Sequence, residues 1–429
     1  MSDLTSIQRV HFIGIGGIGM SGLARLFLHE GKQVSGSDRA PSDITGALEK
    51  EGVTFFSSQE RSNITDDIDM VVYTEAMSQD HPEMEAARAL GVPMMNYFEA
   101  LGLVANQYYL IAVAGTHGKT TTTAMLIDIL EAAGCDPTAI VGSLRAKSGS
   151  NFCAGKSKYF VVEACEYRRD FLHLKPDVLV ITNIEAEHLD YYKDLADIQD
   201  AFRTLALSVP EDGVVIAQTA DKQVGPVIEG LASKVLDYKQ YLNLTRSMKQ
   251  PGLHNRLNAA AAEAAAQSIG IKADVITTAI SEFAGTWRRF EYKGIINGAA
   301  VYDDYGHHPT ELAATMTGAR ELYPTKQLTI VFQPHLYSRT KELFDGFVDV
   351  LAKADRIILT HVYDARNTGK EGVTAEMLAN AVRAKNLHTQ YFETFEDIVA
   401  ELKATVTEQD VVLVMGAGDV TTIAAALTT

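Results

Sequence analysis

The stretch Val113 to Thr123, reading VAGTHGKTTTT, constrains this chain most, because it calls for a strand that feeds a helix through a glycine turn. Tyr109 to Ala114 is an unbroken apolar run, read as a buried strand, and Thr120 to Glu131 carries apolar residues at helical spacing. Gly115 and Gly118 let backbone N–H groups converge on an anion, and the helix start adds partial positive charge. Lys119 adds a full charge and Thr120 a hydroxyl suited to Mg²⁺, with Thr116, His117 and Thr121 completing the loop. Val113 stands where the common phosphate loop has another glycine, so the loop is a shortened variant. The plain alternative is a Gly/Thr turn that only caps a helix, and Lys and Thr directly after Gly118 favour phosphate over it. On this reading Lys119 is an exposed loop cation.

A second glycine cluster opens the chain. Val10 to Ile15 reads as a strand, Gly14, Gly16, Gly17 and Gly19 fill a G-x-G-x-x-G loop, and a helix is expected from Met20 to His29. The next strand, Gln33 to Ser37, ends at Asp38, nineteen residues beyond Gly19, where a dinucleotide fold places a ribose-binding acid. Backbone geometry of this kind suits pyrophosphate on any nucleoside, so NAD and a UDP-sugar both stay open.

With 429 residues, 46% of them hydrophobic and 22% charged, the chain is long enough for several globular cores. A net charge of −17 argues against a general nucleic-acid or anionic-membrane binder, so anionic ligands must be held by specific sites. Cys135, Cys153 and Cys165 show no C-x-x-C spacing, and no apolar run approaches a membrane span, which together predict a cytoplasmic protein. Three αβ segments are expected: a Rossmann-like one over 1–108, a P-loop ATPase-like one over 109–290, and a second Rossmann-like one over 291–429. Predicted strands include Met70 to Thr74, Tyr159 to Glu163, Val178 to Thr182, Ala299 to Asp303, Leu328 to Phe332, Arg356 to Thr360 and Val411 to Met415, and an alanine-rich helix is expected over Asn258 to Ser268.

Ligands of parallel αβ sheets gather at the carboxyl ends of strands. There the middle segment places Glu163 after one strand and Glu185, Glu187, His188 and Asp190 after another. A carboxylate and an imidazole near an ATP phosphate would complete a Mg²⁺ shell begun by Thr120. For Glu185, Glu187 and Asp190 a solvated acidic loop is the better reading, whereas Glu163 ends a buried-looking strand.

Seven blocks occur in the order of the Mur ligase family: Gly115 to Thr121, Glu163 to Glu166, Thr182 to His188, His254 to Asn258, Arg288 to Glu291, Asp303 to Glu311 and Phe332 to His335. The chain resembles that family over all three segments, and its DDYGHHPTE and FQPHLYSRT blocks resemble the alanine-adding branch. The resemblance implies an ATP-dependent ligase of peptidoglycan biosynthesis that joins L-alanine to UDP-N-acetylmuramate through an acyl phosphate. It also implies that Asn255, Asn258, Arg289 and Asp304 serve ATP, and that His307, His335 and Arg339 face the amino acid or reacting groups. Lys119, Thr120, Glu163 and His188 would organise phosphates and Mg²⁺, and Gly14, Gly16, Gly17, Gly19 and Asp38 would hold the UDP-sugar. A monomer or weak homodimer is expected.

Without the resemblance, the His307-His308 pair reads as structural and Arg288-Arg289 as surface. Cys165, Trp287 and Leu336 depart from the family pattern, where Asp, Gly and Arg are common; the last change removes a possible carboxylate-binding cation. A nicotinamide dehydrogenase would leave Lys119 and Glu163 without a task. A P-loop switch would leave the N-terminal loop and the Asp303 to Glu311 block unexplained. A ligase recycling a preformed peptide onto the same sugar is the competing reading within the family.

Overall fold

The computed structural model describes residues 6–75, 77–78, 80–189, 191–365 and 372–428; Asp190 lies outside them. They fall into two compact units, one formed by the chain up to Thr245 with Leu257–Phe283, the other by Arg246–Arg256 with the chain from Ala284.

The first unit holds two sheets. Strands β1 (Arg9–Ile13), β2 (Gln33–Ser37), β3 (Thr54–Phe56), β4 (Met70–Tyr73) and β5 (Met94–Asn96) form a parallel sheet in the order β3-β2-β1-β4-β5. Its order reverses at β1, and the glycine loop leaves the carboxyl end of that strand, the place where such sheets bind ligands. Strands β6 (Tyr109–Ala114), β7 (Thr138–Ile140), β8 (Phe152–Cys153), β9 (Tyr159–Glu163), β10 (Val178–Ile181), β11 (Val214–Ala217) and β12 (Lys234–Asp237) make the second sheet, ordered β12-β11-β10-β6-β9-β7-β8. Only the β7–β8 pair is antiparallel. β6 and β10 are buried almost throughout, which explains why they read as continuous apolar runs rather than as alternating ones. One apolar core joins Phe12 of the first sheet and Leu23 and Phe27 of the helix Ile18–His29 to Leu110, Phe160 and Leu179 of the second sheet.

In the second unit, β13 (Glu291–Ile296), β14 (Ala299–Asp304), β15 (Gln327–Phe332), β16 (Arg356–Leu359), β17 (Thr389–Tyr391) and β18 (Asp410–Met415) form a sheet ordered β13-β14-β18-β15-β16-β17. β13 runs antiparallel to β14 and the rest are parallel. The protein is thus α/β, with three sheets among the described residues, and all the strands expected from apolar runs are present. Very short strands, such as β3, β8 and β17, were not expected, because two or three residues give no usable periodicity. The alanine-rich helix begins earlier than expected and spans Leu253–Ser268. Among the described residues no helix is long and apolar enough to cross a membrane, and all three cysteines are free.

Candidate active site

β6 delivers the chain into the loop Gly115 to Gly118, and the helix Lys119–Ala132 starts directly after it. Gly115 (φ +132°) and Gly118 (φ +85°) adopt backbone conformations that side chains rarely tolerate. A Cβ on Gly115 would strike Thr182, and one on Gly118 would strike the Asn258 amide. Gly118 has no side chain of its own to cap the helix, so the N-cap residue places nothing over the first N–H groups.

The loop after β10 fastens this turn. The Thr116 and His117 N–H groups donate to the Asn183 carbonyl (3.0 Å) and to its Oδ1 (2.9 Å), and Asn183 Nδ2 returns a bond to the His117 carbonyl at 2.9 Å. The Thr182 hydroxyl also donates to that carbonyl at 2.6 Å. Asn183 is a positioning residue to which sequence reading assigned no role, although it lay in a recognised block.

Lys119 is not the exposed cation expected from sequence. Its side chain is 13% exposed, and Nζ donates to the Gly115 and Thr116 carbonyls and to both oxygens of Glu166, at 3.1 and 2.9 Å. Burial alone would lower its pKa, but the facing Glu166, Cys165 and Glu163 raise it above the ordinary lysine value. Glu166 therefore neutralises the loop lysine when no phosphate does, a pairing invisible until the turn after β9 is folded.

Thr120 Oγ1 donates to Glu163 Oε1 at 3.0 Å, while Glu163 Oε2 accepts the Gly142 N–H at 2.9 Å. His188 comes instead to Glu166, with Nε2 at 3.9 Å from Oε1, and Glu166, Glu187 and His188 bring potential metal-binding atoms within 4.8 Å of one another. Thr120 and Glu163 thus form one oxygen-rich pair, and His188 belongs to an adjoining one. His188 (φ 57°), Arg168 (φ 54°) and Arg169 (φ 63°) all hold left-handed backbone next to this site, strain that a packed site sustains. Burial pushes the Cys165 thiol up to about 12, so it is an inert filler rather than a reactive group.

At the N-terminal loop, Gly14 (φ +81°) packs under Thr74, and the helix Ile18–His29 starts from Gly17 with no side-chain cap. Asp38 Oδ2 accepts the Gly16 N–H at 2.8 Å and Oδ1 accepts the Arg39 N–H at 2.7 Å, so this carboxylate shapes the glycine turn. Gly19 lies against the ring of Tyr97.

In the second unit, Asp304 is 6% exposed and accepts N–H groups from Phe290 and Gly306, each at 2.8 Å. It fixes the turn that carries Arg289, whose guanidinium lies 5.1 Å from the Tyr305 ring centroid. Arg288, read as surface from sequence alone, is 3% exposed and ties Asp303 (3.2 Å) to the Gly418 carbonyl (2.8 Å). His307 Nδ1 meets the Tyr305 carbonyl at 3.0 Å, its ring lies 5.5 Å from that of His335, and Arg339 Nη1 reaches His335 Nδ1 at 3.0 Å. His307, His335 and Arg339 therefore form one cluster, beside the left-handed Leu336 (φ 64°). Asn255 is buried with Nδ2 on the Pro251 carbonyl at 2.8 Å.

Three family models match the chain: the Mur ligase catalytic domain over residues 9–109, the Mur ligase middle domain over 113–241, and the Mur ligase glutamate ligase domain over 288–418. The chain is 41% identical to the UDP-N-acetylmuramate–L-alanine ligase of Agathobacter rectalis over 98% of both chains. It is 40% identical to that of Caldanaerobacter subterraneus, over 97% of this chain and 96% of the relative. Among solved structures, the UDP-N-acetylmuramate-alanine ligase of Thermotoga maritima superposes with a TM-score of 0.82 at 27% identity, covering 98% of both chains. A murein peptide ligase from Psychrobacter arcticus reaches 0.72 at 25% identity over 98% of both. With phosphate-loop geometry, three sheets and whole-length relatives in agreement, the chain belongs to the Mur ligase family and is a ligase.

Proposed function

We propose that the protein joins L-alanine to the lactyl carboxylate of UDP-N-acetylmuramate at the expense of ATP, as a cytoplasmic step of peptidoglycan synthesis. The observation that carries this reading is the phosphate loop, in which a caged lysine and a Thr120–Glu163 pair adjoin one uncapped helix start. A carboxylate is a poor electrophile. Its oxygen attacks the γ-phosphorus of ATP as the bond to ADP breaks; the neutral amine of alanine then attacks the acyl carbon, and phosphate leaves. Both steps depend on positioning and charge neutralisation. Lys119 exchanges Glu166 for phosphate oxygens, and the N–H groups at the helix start, those of Thr116 and His117 being committed to Asn183, hold the phosphates with the side chains of Thr116, His117, Thr121 and Asn258.

The oxygens of Thr120 and Glu163, with His188 nearby, suit Mg²⁺, which when bound would neutralise charge on the β- and γ-phosphates. Residues 1–108 serve the UDP-sugar, 109–290 serve ATP, and 291–429 serve the amino acid. Asn255 and Arg289 contribute to nucleotide use, and Asp304 acts through the Arg289 turn. The His307, His335 and Arg339 cluster orients the attacking amine. Alanine is favoured over a peptide acceptor by the higher similarity to alanine-adding relatives. The ligands are small molecules rather than nucleic acid or membrane, and the protein acts as a monomer or weak homodimer.

The test is incubation with UDP-N-acetylmuramate, ATP and Mg²⁺ plus alanine, glycine, serine or the tripeptide, read by product mass. A single alanyl amide, formed fastest with L-alanine, is expected; preferential use of the tripeptide would overturn the assignment.

A further inference from the structure

Tyr97 opens the helix Tyr97–Ala105, which leaves the carboxyl end of β5 at the edge of the first sheet. Asn96 and Glu99 close a capping box on that helix, so its first turn is satisfied internally and its first side chain is held in one place. The ring stacks edge-on against Phe98, with centroids 4.6 Å apart, and its outer end lies over Gly19, where a Cβ would sit 3.1 Å from Cζ and 3.4 Å from the hydroxyl oxygen. Any side chain at position 19 would displace this phenol.

The tip of the same ring also lies within the field of Glu163 and Cys165 at the end of β9. The phenol hydroxyl thus adjoins the last glycine of the N-terminal loop and is close enough to the carboxylate that holds Thr120 to feel its charge. Among the described residues it has no hydrogen-bond partner, and the side chain is half-buried rather than sealed. Burial, with Glu163 and Cys165 adding to it, raises the phenol above its ordinary value, so it stays protonated and can donate.

Resting on the function proposed above, a UDP-sugar with its pyrophosphate at Gly14 to Gly19 must carry its lactyl carboxylate toward Lys119 and Thr120. Its sugar therefore crosses Tyr97. We infer that Tyr97 is a substrate-binding residue whose hydroxyl donates a hydrogen bond to the oxygens of the UDP-sugar lying between its pyrophosphate and its lactyl carboxylate. It distinguishes the sugar-bearing nucleotide from UDP alone and takes no part in proton transfer.

Tyr97→Phe removes only a hydroxyl that no group among the described residues uses, so the unfolding midpoint should stay at the wild-type value. By calorimetry, wild type should bind UDP-N-acetylmuramate more tightly than UDP. The variant should lose roughly 2- to 10-fold of affinity for the sugar nucleotide, the range for one lost hydrogen bond between neutral groups, and none for UDP. KM for the UDP-sugar should rise in step while KM for ATP and L-alanine stays unchanged. Equal losses for UDP and UDP-sugar, or no loss for either, would overturn the role of Tyr97. Failure of the wild-type protein to bind either nucleotide would instead overturn the underlying assignment of the N-terminal loop.

Discussion

Among single residues, Lys119 shows where sequence reading stopped short. Its place after Gly118 identified the loop, but the three-residue step from Glu163 to Glu166 gave no sign that the second glutamate would turn back to cage the lysine. The cage makes Lys119 structural as well as functional. Lys119→Ala should abolish ligation and also destabilise the fold by about 3 kcal/mol, because it leaves Glu166, 3% exposed, as an unpaired buried charge. Lys119→Ala with Glu166→Gln should recover most of that stability and none of the activity in denaturant titrations; a fully stable single variant would contradict the cage. Asp304 has the opposite electrostatics. Burial raises it to about 6 despite Arg289 and the N–H groups of Gly306 and Phe290. A raised folded value favours the protonated form, so its contribution to stability is full below the ordinary 3.8 and is lost as pH rises through about 6. Relative to Asp304→Asn, wild type should therefore lose up to about 3 kcal/mol across that pH range, because one proton bound or released changes the balance by about 1.4 kcal/mol for every pH unit. A difference between the two proteins that does not vary with pH would refute it.

At the level of elements, long apolar strands such as β6, β10 and β18 were legible because a parallel strand covered on both faces has a distinctive composition. The loops that finish the site were less so. The zipper between Asn183 and His117 joins chain segments far apart in sequence, and the left-handed backbone at Arg168, Arg169 and His188 follows from packing rather than local preference. The helix Tyr97–Ala105 illustrates the same divide: its capping box is a local Asn96–Glu99 signal that the sequence reading did not use, while the position of Tyr97 over Gly19 depends on the fold. Asn96→Ala should cost about 1 kcal/mol of stability by removing the cap and should weaken UDP-sugar binding through the loosened Tyr97. Thermal unfolding and calorimetry check both parts, and unchanged sugar binding in a destabilised variant would separate the cap from the site.

For the whole molecule, three αβ segments were visible in the recurring alternation of strands and helices, and the resemblance of seven ordered blocks agrees with family matches along the chain. A residue such as Asn255 or Arg289 could be named from its motif alone, whereas its hydrogen-bond partners required the fold. The central claim is that a phosphate loop activates a carboxylate by phosphoryl transfer before an amine displaces the phosphate. It is tested most directly by supplying UDP-N-acetylmuramate with both lactyl carboxylate oxygens labelled with ¹⁸O, together with ATP, Mg²⁺ and L-alanine, and weighing the inorganic phosphate released. Phosphate carrying one ¹⁸O for each amide formed is the expected result; amide formation with unlabelled phosphate would contradict it.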